Sequence, residues 1–192
     1  MALETRTLVR PLSLRAEGDQ QRVGGYACVY NSHADIGDSF KEVFAVGAFD
    51  EAVRGDVVAL FGHDRNRVLG RTAAGTLRLT SDATGVAFEI DLPDTSDGRD
   101  LAVSVDRGDI RGSSFGFRAV KETWDETGPV PVRIIQVAEL REISPTAFPA
   151  YPDTSIALRS LAEAQKDRRA ENHTQAARRL RMKVSLDLRS RR

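Results

Sequence analysis

The chain has 192 residues, 41% of them hydrophobic and 29% charged, and 28 basic side chains balance 28 acidic ones. That suits one domain with an extension and a core of ordinary size. A single cysteine, Cys28, excludes an intramolecular disulfide, and no apolar run reaches the roughly 18 residues of a membrane-spanning helix.

The balanced charge is unevenly spread. Residues 161–192 hold ten Lys or Arg against four Asp or Glu, a net +6, which leaves −6 on residues 1–160. We expect a single folded domain over 1–160 and a basic, helical or disordered tail over 161–192, with its own partner or fate. Met1 to Arg6 does not lead into a long apolar stretch, so a soluble, intracellular protein is expected.

In chain order, Arg22 to Tyr30 reads as a bent strand with a glycine pair. Asn31 to Ser39 reads as a polar loop, Phe40 to Val46 as a strand, and Gly47 to Val53 as helical turns. Val57 to Gly62 is an apolar strand that ends at His63, followed by a polar turn and a short extended piece, Val68 to Arg71. Thr76 to Thr80 and Gly85 to Leu92 form a hairpin joined by Ser81-Asp82-Ala83-Thr84. Ser96 or Asp97 caps a helix that runs from Gly98 to Arg107. Asp109 to Val120 and Val132 to Ile143 are strands, linked by a loop over Trp124 to Pro131. Pro145 to Asp153 is irregular, and Ala157 to about Arg181 lacks Gly and Pro and favours helix. Many short strands with few helices predict a mainly β (α+β) protein, a closed or partly closed β-barrel with flanking helices.

The stretch Arg111-Gly112-Ser113-Ser114-Phe115-Gly116-Phe117 carries the chemistry. Side chains alternate along a strand, so Ser114 shares a face with Gly112 and Gly116 while Phe115 and Phe117 enter the core. A hydroxyl between two missing side chains can be approached by another backbone. The letters also fit Gly-x-Ser-x-Gly, yet the chain continues as strand where a nucleophile elbow needs a helix, and only His173 follows the serine.

A serine nucleophile needs a base and a group that orients it. Of the three histidines, His33 lies in a turn-forming loop and His173 in the charged tail. His63, at a strand end, is placed to be held by the sheet and still reach a cleft; the alternative is an ordinary loop histidine. Strict alternation puts Glu142 on a face with Ala138 and Leu140, where a carboxylate needs a partner such as an imidazole N–H. Glu139, Asp64 and Asp91 are weaker candidates, and an exposed edge-strand glutamate is the plain alternative. Cys28, His33 and His63 have no metal-ligand spacing, and neither a P-loop nor a dinucleotide fingerprint is present. No metal or other cofactor is expected.

Several segments together resemble the prohead maturation proteases of tailed bacteriophages, whose fold is similar to the herpesvirus protease assemblin. They are Gly25 to Tyr30, Gly47-Ala48-Phe49, Phe61-Gly62-His63-Asp64 with Val68 to Arg71, Ser113 to Phe117, and Leu140 to Ser144 with Phe148 to Pro152. The resemblance covers Arg22 to Asp153 in the family's order. It implies an assemblin-like serine endopeptidase with nucleophile Ser114, base His63 and third member Glu142. It also implies an oxyanion hole from backbone N–H groups near Ala150. The family commonly has a bulkier residue where Ser113 stands. The implied substrates are scaffold, or the scaffold-like arm of the major capsid protein, and the protease itself. The implied setting is the prohead in the host cytoplasm, with self-association as a further implication. The alternative from a different class is a non-catalytic capsid-assembly scaffold on the same fold. Nucleic acid is not expected as a partner, because the tail has no aromatic residue to stack on bases.

Overall fold

A computed structural model describes residues 3–18 and 20–147, together with Ala162, Gln165, Lys166 and Arg169. The chain divides into two units, Met1–Asp153 and Thr154–Arg192. Of the second unit the four described residues are helical. Ala150 and nearly all of residues 161–192 lie outside the described residues.

The first unit is mainly β. Its elements are β1 (Glu4–Leu8), β2 (Ser13–Glu17), β3 (Gln20–Val29), β4 (Ala34–Ile36), β5 (Phe40–Phe44), β6 (Val58–Phe61), β7 (Asp64–Arg71), β8 (Leu77–Ser81) and β9 (Gly85–Asp91). Then follow α1 (Ser96–Asp106), β10 (Gly112–Asp125) and β11 (Val132–Thr146). The strands form two sheets. One runs β1-β10-β11-β5-β4, with the β6–β7 hairpin attached to β11; the other runs β2-β3-β9-β8. The hydrogen-bonded ladders do not close, so the predicted barrel is replaced by two open sheets. Among the described residues of this unit α1 is the one α-helix, beside two 3₁₀ turns at Ala52–Arg54 and Thr72–Ala74. The α1 cap is Thr95, whose extended backbone lets its hydroxyl accept from Gly98 N–H, rather than Ser96 or Asp97.

The inner residues of both sheets make one apolar core. Val23, Ala27, Phe88 and Ile90 come from β3 and β9, and Phe115, Phe117, Ile135 and Ile143 from β10 and β11. Four rings, Phe44, Phe49, Phe115 and Phe117, meet with centroids 5.1 to 6.4 Å apart. Phe115 and Phe117 therefore enter the core as their alternation requires, and Ser114 is carried to the other face of β10.

Long antiparallel pairing of β10 with β11 sets the register that matters. Ser114 stands opposite Ser144, and Gly116 opposite Glu142, but the next pair is Phe117 with Leu140. Arg141 is the extra residue of a β-bulge. The bulge reverses the phase of β11, so Leu140 is buried in the core while Glu142 turns to the Ser114 face. The expected shared face of Glu142, Leu140 and Ala138 is thereby corrected, because strict alternation fails at a single inserted residue.

β1 covers the other edge of β10, with Thr7 opposite Ser114. Its Glu4 and Arg6 point to the core side, where a buried ionic cluster holds them. Arg133 on β11 donates to Glu4 and Glu42, and Arg6 donates to the same two carboxylates, at 2.6 to 2.9 Å. Glu122 joins through Arg133.

Candidate active site

His63 sits in the hairpin between β6 and β7. Phe61 pairs with Asp64, so the loop is only Gly62-His63, and both residues have positive φ, 59° and 67°. Two left-handed residues in a row are what a type I′ turn requires. Glycine adopts that backbone freely; for histidine it is a strained state of about 1–3 kcal/mol that persists because its surroundings hold it. The turn lies at His63 itself, one step earlier than the polar stretch after it, and β7 begins at once with Asp64.

The hairpin is fastened on two sides. β6 runs parallel to β11, pairing Val58 with Glu142 and Ala59 with Ile143. At its tip Gly62 N–H donates to the Pro145 carbonyl at 3.3 Å, and His63 N–H donates to Ser144 Oγ at 3.2 Å. Behind the tip, Arg67 stacks on the Phe61 ring at 4.0 Å and pairs with Asp97 in the first turn of α1 at 2.7 Å.

His63 Nδ1 lies 2.7 Å from Glu142 Oε1. An ionised carboxylate only accepts, so Nδ1 carries the proton and Nε2 keeps its lone pair. Nε2 is buried and, among the described residues, has no hydrogen-bond partner. The hydrogen bond to Glu142 raises the imidazole pKa above its ordinary 6.5, partly offset by burial. Glu142 reaches this position because Gly116 faces it. A Cβ at residue 116 would stand 3.0 Å from Glu142 Oε1 and 3.1 Å from its Cγ. Gly112 makes similar room for the Leu8 carbonyl of β1, 3.0 Å from where its Cβ would be. The two glycines thus admit the chain's own carboxylate and the backbone of β1.

Ser114 is fully buried, and its hydroxyl donates to the Arg6 carbonyl at 2.9 Å. Ser113 points to the core side and donates to the Tyr26 carbonyl at 2.9 Å. The strand phase therefore separates the two serines as predicted: Ser114 shares the face of Glu142 and Ser144, and Ser113 does not. No hydrogen bond joins Ser114 to His63.

The rival carboxylates are used elsewhere. Asp64 accepts from Asn66 N–H at 2.9 Å, Asp91 pairs with Arg22 and Arg78, and Glu139 pairs with Arg141. Burial pushes the Cys28 thiol up, well above its ordinary range, which disfavours a thiolate nucleophile. Ser144, which contacts both His63 and Glu142, was not singled out from sequence. Its only signal was its place two residues after Glu142, on the same face.

A cavity of about 490 Å³ opens at the Gly112 end of this face, lined by Thr7, Val9, Pro11, Arg111, Gly112 and Thr146 among others. A second, of about 220 Å³, lies on the Phe115 side of β10 and reaches Cys28, Glu42 and Phe44, away from the Ser114 face. Among the described residues no cluster of His, Cys, Asp and Glu is suited to hold a metal. No helix there is long and apolar enough to cross a membrane.

A serine on a strand and a histidine with a carboxylate on Nδ1 are residue types that serine proteases use. The family model described as caudovirus prohead serine protease matches residues 10–167, and the chain belongs to that family. It is a serine protease of phage capsid maturation. Among solved structures, the bacteriophage T4 capsid assembly protease gp21 is similar, with a TM-score of 0.48 and 10% identity. The match covers 75% of this chain and 97% of that one. Comparison with curated protein sequences gave no match.

Proposed function

We propose that Ser114 is the nucleophile, His63 its general base and Glu142 the residue that orients and charges the base. The observation that carries this reading is the Glu142–His63 pair, which leaves a lone pair on buried Nε2, its carboxylate standing opposite Gly116 on the strand that bears Ser114. Catalysis begins when the Ser114 hydroxyl leaves the Arg6 carbonyl and turns to Nε2. His63 takes the proton as Oγ attacks the peptide carbonyl, and Glu142 stabilises the imidazolium. The proton passes to the leaving amine, and water then hydrolyses the acyl-enzyme by the same route in reverse. Oxyanion donors near Ala150 remain part of the proposal, each worth about 10²–10³ in rate.

The substrates we propose are scaffold or the scaffold-like arm of the major capsid protein, and the protease's own chain, cut inside the prohead in the host cytoplasm. Residues 1–160 form the protease and 161–192 a removable basic extension in this reading. The two open sheets are an assemblin-like arrangement whose ladder is not closed. Labelling with a fluorophosphonate tests the nucleophile. Wild type should be modified on the peptide that holds Ser114, and Ser114→Ala should not react. A variant that still reacts would remove the assignment.

A further inference from the structure

Ser144 is the residue to which three parts of the site converge. It is fully buried on β11, opposite Ser114. Its hydroxyl has one donor and two acceptor positions. It accepts from His63 N–H at 3.2 Å and donates to Glu142 Oε2 at 2.5 Å. Glu142 Oε1 in turn receives His63 Nδ1–H at 2.7 Å. The path leaves His63 through its backbone, passes the Ser144 hydroxyl and both carboxylate oxygens, and returns to the same residue's ring.

We propose that Ser144 is a positioning residue of the protease, setting the carboxylate plane and the strained His63 turn relative to each other so that Nε2 faces Ser114. This rests on the Ser114–His63–Glu142 reading. The logic is geometric. A glutamate has two hydrogen-bonding oxygens and a broad terminal torsion. With only Nδ1–H on Oε1 the carboxylate could pivot, and the ring with it. A donor on Oε2 removes that freedom. The His63 backbone is likewise tied to β11 by the hydroxyl, beside the Gly62–Pro145 bond that any variant keeps.

The hydroxyl also spreads part of the carboxylate's charge. Without that donor, Glu142 would bear more uncompensated negative charge and favour the imidazolium more strongly. Burial and Glu142 are the influences on the ring's charge, and the neighbouring Asp64 spends Oδ1 on Asn66 N–H.

The test is an NMR titration of His63 in Ser144→Ala, with fluorophosphonate labelling in parallel. The three histidines make assignment direct. The His63 pKa should move above that of wild type, and labelling should slow by about 10- to 100-fold, as expected for a misplaced base. Ser144→Thr, which keeps the hydroxyl, should titrate as wild type. Should alanine unfold the protein, Ser144→Cys offers a weaker donor and should move His63 the same way by less. A His63 pKa unmoved in Ser144→Ala overturns the proposal whatever labelling does. Failure of the underlying reading looks different: His63 responds to Ser144, but label never reaches Ser114.

Discussion

His63 carries two demands that pull in opposite directions. In its proposed role as base it must be neutral, yet the bond to Glu142 raises its pKa above 6.5. Activity should therefore rise with pH through a midpoint above that value. Glu142→Gln removes the charge and should move the midpoint down while slowing the reaction, a profile measurable by labelling rate against pH. The linked effect on stability has a definite sign. A group whose pKa is raised on folding stabilises the native state fully below its unfolded pKa, and that contribution fades as pH rises through the folded value. The same residue scale makes Gly116 decisive. Its added methyl in Gly116→Ala would meet Glu142 Oε1 and Cγ at 3.0 and 3.1 Å. The backbone there needs no positive φ, so the fold should survive while the carboxylate is displaced. Labelling should fall tenfold or more, and the His63 pKa should drop toward 6.5 in an NMR titration.

At the scale of elements, the serine strand was legible because Ser113 to Phe117 pair with β1 in unbroken register, so successive side chains alternate faces as the sequence reading assumed. β11 was legible as a strand but not in phase. Its bulge depends on the pairing with β10, and nothing local marks Arg141 as the extra residue. β1 was not predicted, since its core-facing positions are Glu4 and Arg6, which conceal the apolar pattern. Those charges are tolerated because Arg133 and Glu42 satisfy them. Breaking such a cluster from one side leaves buried charge uncompensated. Arg133→Leu should cost about 3–5 kcal/mol of stability in denaturant unfolding. It should also loosen β1, whose Arg6 carbonyl holds the Ser114 hydroxyl. The His63 turn was misplaced by one step for a related reason: a left-handed histidine is chosen by its tethers to Ser144 and Glu142, which lie some 80 residues away.

Across the whole molecule, the class was readable and the closure was not. Strand count and a scarcity of helices follow from local pattern, but whether a sheet closes depends on which edges meet, a property of β1 and β4 at opposite ends of one ladder. The proposed site, in contrast, draws on residues 63, 114 and 142: Ser114 and Glu142 stand on the paired strands β10 and β11, and His63 is hydrogen-bonded to Glu142. The measurement that bears most directly on the account is intact mass of the protease and its major capsid protein after co-expression, for wild type, Ser113→Ala and Ser114→Ala. The account predicts that wild type and Ser113→Ala trim the capsid protein and themselves, while Ser114→Ala leaves both whole. Trimming that persists in Ser114→Ala would contradict it.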